Sequence, residues 1–256
     1  MVVFCGILGL LIGSFLNVVI YRVPAGLSVV SPGSACPGCG VAVSPRDNVP
    51  VLSWLLLRGR CRACHRAISA RYPLVESLTG VVFLLTALRF GASWSLPAEL
   101  AFVAGALALA AVDLERYLLP KAILYPTLIL VGVGLIVATV AMQRWGRLGV
   151  AVACGLGAFA VFFVIQFVRP AWMGFGDVRL AGLLGLGLGW LGPWYLFVGF
   201  LVANILGSTV GIGLMLSRRA TRKTALPYGV FLTAGAVVAL LLGAPIIHWY
   251  SHLMSR

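Results

Sequence analysis

The chain has 256 residues, of which 61% are hydrophobic and 10% charged, with a formal net charge of +13 and a mean hydropathy of +1.07. A soluble domain of this length could not keep so much apolar surface from water, so composition excludes one and predicts an all-α polytopic membrane protein. The charge, which in a soluble chain would suggest nucleic acid, is read instead through its placement along the chain, and no nucleic-acid partner is expected.

Taken in order, apolar runs at 3–20, 74–90, 98–112, 122–141, 148–168, 178–192, 194–216 and 228–247 are each read as a helix crossing a hydrocarbon core of roughly 30 Å. That reading predicts about eight transmembrane helices. The first run lacks a charged start and carries Asn17 near its end, so it reads as a retained span and not as a cleaved signal. The run 178–192 is short and glycine-rich, which predicts either an irregular helix or one that merges with the next through Gly192-Pro193. Gly9/Gly13, Gly185/Gly189 and Gly207/Gly211 have the G-x-x-x-G spacing that lets helix backbones approach closely. Pro126 and Pro245 are expected to bend or end their helices.

Between the first two runs, residues 21–72 shift abruptly to Pro, Gly, Ser, Arg and Cys. Cys36-Pro-Gly-Cys39 and Cys61-Arg-Ala-Cys64 form two C-x2-C knuckles separated by 21 residues, a pattern close to a zinc ribbon. Four thiolates around Zn2+ would fix an insert too small to bury a core of its own, and a redox or simply reduced cysteine set is the alternative. His65 reads as a surface residue, and Cys5 and Cys154 as small packing residues within spans.

The basic residues fall on one side. Segments 21–72, 113–121, 169–179 and 217–226 hold 15 of the 19 Lys and Arg residues, while Arg89, Arg144, Arg147 and Arg256 lie on the other. The positive-inside rule makes the first side cytoplasmic, with the N-terminus outside and the insert inside. The basic loops are then expected to meet anionic lipid.

Among only six acidic residues, Asp113 and Asp177 sit at the edges of apolar runs, both on the cytoplasmic side in this topology. Asp177 closes Gly174-Phe-Gly-Asp177, where two glycines without β-carbons leave room for an extended peptide beside the carboxyl. Two such carboxyls sharing a proton suit a membrane aspartyl protease, one activating water and the other polarising the scissile carbonyl. An ion-coupled transporter would use the same pair by alternating protonation, and a solvated helix cap is the plain reading of either residue alone. Glu115, beside Asp113, reads as a solvated helix-end residue or a contact for substrate.

Several motifs in order resemble the type IV prepilin peptidases, bifunctional prepilin leader peptidase/N-methyltransferases of bacterial inner membranes. They are Gly13-Ser-Phe-Leu-Asn-Val-Val-Ile-Tyr-Arg22, the two knuckles flanking Asp47-Asn-Val-Pro-Val-Leu-Ser-Trp54, and Arg71-Tyr-Pro-Leu-Val-Glu76. Asp113-Leu-Glu-Arg-Tyr-Leu-Leu-Pro120, Gly174-Phe-Gly-Asp-Val-Arg-Leu180 and Leu226-Pro-Tyr-Gly229 follow. The resemblance implies that Asp113 and Asp177 are the catalytic pair and that type IV prepilins or pseudopilins are the substrates. It also implies methyl transfer from S-adenosylmethionine to the newly exposed amine, with Gly59 as a residue associated with that step. A turn glycine is the other reading of Gly59. The chain departs from the family at Lys121, Arg179 and Tyr228, and Lys121 offers a cation near Asp113 if its loop folds back. The expected organisation is a first span at 1–20, a cytoplasmic Cys-rich insert at 21–72 that carries the methyl-transfer function, and a peptidase core at 73–256. A peptidase whose zinc insert is only structural is the alternative within the family.

Overall fold

The computed structural model describes every residue except 172, 219, 220, 222, 223, 225 and 256, so the basic residues Arg219, Arg222, Lys223 and Arg256 of the charge pattern lie outside the described residues. The described elements are helical: α1 (Val2–Arg22), α2 (Leu52–Leu56), α3 (Arg71–Phe90), α4 (Leu96–Arg116), α5 (Lys121–Met142), α6 (Trp145–Val168), α7 (Phe175–Leu191), α8 (Pro193–Leu216) and α9 (Tyr228–Met254), with 3-10 turns at Val23–Ala25 and Pro45–Asp47. Among the described residues, seven helices are long and apolar enough to cross a membrane.

Helix α7, the short glycine-rich run, falls outside these seven. Its 17 residues extend about 26 Å, short of the hydrocarbon core, and it ends at Gly192 without merging into α8. Glycine at φ +136 breaks the helix there, and Pro193 restarts it as the first residue of α8. Leu180, Leu183, Leu184, Leu188 and Trp190 of α7 are all at most 2% exposed, so protein rather than lipid surrounds this helix. Pro245 does not end its helix either, since α9 runs on to Met254.

The chain divides into two compact units, Met1–Ala92 and Ser93–Arg256. In the first, α1 packs on α3 through its glycines. A β-carbon on Gly9 would lie 2.8 Å from the Gly80 Cα, and one on Gly13 would lie 2.7 Å from the Glu76 Cα. The opposite stripe of α1, with Phe4, Ile7, Leu11 and Phe15, is more than half exposed and suits lipid.

The insert is tied down by polar contacts instead of a core. Arg62 forks onto Asp47 through three hydrogen bonds of 2.7–3.1 Å, and this guanidinium holds the Asp47 carboxyl below its usual range. The Trp54 indole donates to the Ile68 carbonyl at 3.1 Å. Before α2, Val51 adopts φ 61 and ψ −51, with Leu52 N–H donating to the Pro50 carbonyl. This is a γ-turn of the strained hand, costing about 1–3 kcal/mol at a β-branched residue, and it is met by the Glu76 carboxylate, which accepts the Val51 N–H at 2.7 Å.

In the second unit α6 and α7 pack as closely as α1 and α3. A β-carbon on Gly185 would lie 2.6 Å from the Cys154 carbonyl oxygen, and one on Gly189 would lie 2.5 Å from the Cys154 Cβ. Helix α9 is held against α8 by Gly235, whose β-carbon would run into the Gly199 carbonyl. These contacts allow no side chain because backbone, not a movable side-chain end, occupies the space.

Gly13→Val is therefore expected to lower the stability of the protein in detergent by about 1–3 kcal/mol, an overpacking cost. Thermal unfolding of the purified variant beside Gly132→Val, where a β-carbon meets nothing within 4 Å, checks it.

Candidate functional site

Asp113 lies one turn before the end of α4, where Tyr117, in the left-handed conformation, closes the helix by donating its N–H to the Asp113 carbonyl at 2.9 Å. The side chain is 6% exposed. Its Oδ2 accepts the Val230 N–H at 3.2 Å, and the Gly229 N–H is a second donor to the same carboxyl. Both amides belong to the first turn of α9, whose start is set by Pro227 in an extended conformation. Amides at a helix N-terminus carry partial positive charge, so the start of α9 presents hydrogen-bond donors to the Asp113 carboxyl.

Asp177 is presented by the first turn of α7. Gly174 is extended at φ −75 and ψ 150, and its carbonyl accepts the Asp177 N–H at 3.1 Å. The half-buried Asp177 carboxyl lies beside Gly174, 3.6 Å from where a β-carbon would stand. The side chain of Leu119, from the turn between α4 and α5, separates two backbones. It lies 3.0 Å from a β-carbon position on Gly176 and 3.2 Å from one on Gly229. Asp113 and Asp177 are thereby gathered around one point where α4, α7 and α9 meet, close enough for the charge of the first to act on the second.

Tyr228 joins this cluster. It lies in the field of Asp177, and its hydroxyl donates to the Asn204 Oδ1 of α8 at 3.3 Å. Arg179, one turn after Phe175, stacks over that ring at 4.5 Å, and Phe159 and Phe163 of α6 meet the ring edge-on at 6.3 and 6.2 Å. Lys121 is exposed and forms no ion pair with Asp113, so the first amides of α9 take the place that a folded-back loop would have given this cation. Glu115 is exposed at the end of α4.

The four predicted metal ligands come together in the insert. The Sγ atoms of Cys36, Cys39, Cys61 and Cys64 lie within 4.8 Å of one another, and Cys36 and Cys64 are 3.8 Å apart. A tetrahedron of Zn–S bonds of about 2.3 Å has edges of about 3.8 Å, so the cluster fits a zinc ion. All four cysteines are free of disulfides. The two knuckles repeat one fold: Cys36 N–H donates to Val41 and Cys61 N–H to Arg66, each at 2.9 Å, and Gly40 and His65 occupy equivalent positive-φ positions. His65 is spent on that turn and is exposed, outside the cluster. The Gly38 and Cys39 backbone amides pull the Cys36 thiol down to about 6. Against the Val41 amide, lost hydration and the neighbouring thiols push Cys39 up to about 11.

Gly59 lies two residues before Cys61, and its carbonyl accepts the Ile68 N–H at 2.7 Å. It follows α2 with φ +66, and a β-carbon there would lie 2.9 Å from the Trp54 ring. Both the backbone conformation and the indole demand glycine, which is the turn reading of this residue.

Comparison with known proteins follows the same division. Residues 7–90 match the bacterial peptidase A24 N-terminal domain, and residues 100–212 match the type IV leader peptidase family. A relative from Aeromonas hydrophila is 34% identical over 281 residues, covering 94% of this chain and 90% of its own length. One from Pseudomonas putida is 38% identical over 93% of this chain and 89% of the relative. A third, from Myxococcus xanthus, is 40% identical over 84% of this chain and 63% of the relative. All three carry the name prepilin leader peptidase/N-methyltransferase. The chain belongs to the type IV leader peptidase family. No solved structure matches it.

Nothing in the sequence around Leu119 or Asn204 marks them as neighbours of the aspartates, because each enters the cluster from a different helix or turn. Leu226-Pro-Tyr-Gly229 carried a legible signal, a proline at a helix start, but its partner Asp113 is 116 residues from Gly229. Nothing local in sequence connects them.

The cysteine geometry leads to an expectation of about one zinc per chain by metal analysis of the purified protein. Replacing any one of Cys36, Cys39, Cys61 or Cys64 by Ser should remove it, because three ligands hold the ion far more weakly than four. Wild-type protein with no zinc and four freely alkylated thiols would overturn this.

Proposed function

We propose that the chain cleaves leader peptides from type IV prepilins or pseudopilins at the cytoplasmic face of the inner membrane, with Asp113 and Asp177 as the catalytic pair, and then methylates the new N-terminus. The observation that carries the reading is the meeting of two carboxyls, unlike in their donors, at the ends of three apolar helices.

Asp113 is the base. Two amides from α9 favour its ionised form, and Asp177, facing that negative charge, retains the shared proton. Asp113 takes a proton from a water held between the carboxyls, and the water oxygen attacks the scissile carbonyl carbon. Asp177 donates its proton to the carbonyl oxygen. The tetrahedral diol collapses as Asp113 gives a proton to the departing amine nitrogen and one diol hydroxyl returns a proton to Asp177, and the C–N bond breaks. Gly174 leaves the backbone bare beside the Asp177 carboxyl, where an extended peptide would lie, whereas the space at Gly176 is taken by Leu119. A prepilin, with a basic leader and an apolar helix, brings its cleavage point to the membrane interface, the depth expected for both aspartates.

The amine released by cleavage is the group to be methylated, so cleavage precedes methylation. S-adenosylmethionine is the methyl donor, and the insert with Gly59 is assigned to this half of the reaction. Zinc in the four-cysteine cluster fixes the insert and takes no part in proteolysis. Methyl-transfer activity is the feature that separates this reading from a peptidase with a purely structural insert.

Purified protein in detergent, mixed with a prepilin and labelled S-adenosylmethionine, reports both steps together. Asp113→Asn and Asp177→Asn should each lower cleavage by at least about 10³-fold while the protein stays folded, since each removes one member of a catalytic unit. Full cleavage by either variant would remove that residue from the mechanism.

Gly229→Ala probes the α9 contact. The added carbon would lie 2.9 Å from the Asp113 Oδ2, the free end of a side chain, so the carboxyl moves and the fold survives. Cleavage is expected to fall about 10²-fold, the scale of an ångström's misplacement, with the melting temperature nearly unchanged.

A further inference from the structure

Glu76 is a buried carboxylate that neither the aspartate pair nor the cysteine cluster uses. It is 7% exposed and lies five residues into α3, roughly 8 Å along the helix from Arg71. Both of its donors are neutral: the Val51 N–H at 2.7 Å and the Ser14 hydroxyl from α1. Three residues after Ser14, the Asn17 amide nitrogen donates to the carbonyls of Gly13 at 3.3 Å and Tyr72 at 3.1 Å. Because both partners are acceptors, they fix which end of this amide is oxygen. That oxygen is buried with no hydrogen-bond partner, in a residue 2% exposed, beside the turn of α3 that precedes Glu76.

A buried carboxylate and a buried, unanswered amide oxygen on the same face of a helix pair call for a compact cation with several N–H donors. An α-ammonium group is such a cation. Its depth fits as well, since the N-terminal residue of a substrate with an apolar helix rests near the membrane interface.

We infer that Glu76 and Asn17 form the subsite that receives the N-terminal ammonium of the cleaved substrate during methylation, an inference that rests on the methyltransferase reading above. The Val51 N–H occupies the carboxylate in the absence of substrate. The strain of that turn offsets part of the cost of releasing it, and the ammonium takes its place with one N–H on Glu76 and another on the Asn17 Oδ1. Glu76 accepts a proton from the ammonium, leaving a neutral amine with a free lone pair. The nitrogen attacks the methyl carbon of the sulfonium donor, an N–C bond forms, and the C–S bond breaks with its electron pair left on sulfur. The secondary ammonium formed loses a proton to water as product departs, and Glu76 releases its own proton to water.

Glu76→Gln tests this because glutamine keeps an oxygen for the Val51 N–H and removes only the negative charge. Two pre-cleaved pilin peptides are compared for binding, one with a free N-terminus and one N-acetylated. Wild type should prefer the free amine on the order of tenfold, the worth of one charged hydrogen bond, and Glu76→Gln should lose the preference. In steady state, Glu76→Gln should lower kcat for methylation of the free peptide by about 10²-fold or more, the usual worth of a general base. Glu76→Asp should recover part of it. Prepilin cleavage and zinc content should remain within twofold of wild type. If Glu76→Gln keeps both the preference for the free amine and full methylation, the inference fails. If it loses methylation yet still discriminates the two peptides, Glu76 is not the amine's partner and the inference also fails. Should wild type itself methylate no pre-cleaved pilin while still preferring its free amine, the methyltransferase reading falls and the ammonium subsite stands.

Discussion

A carboxyl buried at the end of an apolar helix must find donors, and Asp113 finds them in the first backbone amides of α9. This contact is possible only because residue 229 has no side chain. The approach brings the start of α9 against the end of α4, and Leu119 fills the space that remains, reaching Gly176 at the start of α7. Each helix end thus answers a need of another: a carboxylate takes the amides, and a glycine takes the leucine. The proposed division between base and acid follows from the same contact, because only Asp113 has the start of a second helix aimed at it.

The rigidity such a site requires comes from helices packed without intervening side chains. Helix α7 carries Asp177 on its first turn and is enclosed by protein along most of its length, with α6 drawn against it at Gly185 and Gly189. Donors and acceptors held in this way need little reorganisation when charge moves during a reaction. The aromatic contacts of Phe175 with Phe159 and Phe163 anchor the same turn from the other side.

The insert solves a different problem. With almost no apolar core, it relies on the four cysteines, the Arg62–Asp47 fork and the Trp54–Ile68 hydrogen bond. Glu76 reaches it from α3 and pins the Val51 turn, so the segment carrying α2 and Gly59 is held at one end by a carboxylate and at the other by an indole. A substitution at Gly59 would disturb Trp54 first.

Much of this was legible in the chain itself. Hydropathy and length determine the membrane helices, because no other backbone arrangement of twenty apolar residues satisfies its hydrogen bonds in lipid. The C-x2-C pairs announce their cluster, since each knuckle is a local turn, and the G-x-x-x-G pairs in α1 and α7 mark real close approaches. Hydropathy is silent on the surroundings of α7, where glycine and leucine in a helix of 17 residues look the same whether lipid or protein encloses them. What only the tertiary structure decided is which distant residues share a site: Asp113 with Gly229 and Val230, Gly176 with Leu119, Glu76 with Val51 and Ser14. The reason is physical. Periodicity and spacing report what a residue does within its own helix, whereas a backbone amide that answers a carboxylate more than a hundred residues away has no side chain through which the sequence can show it.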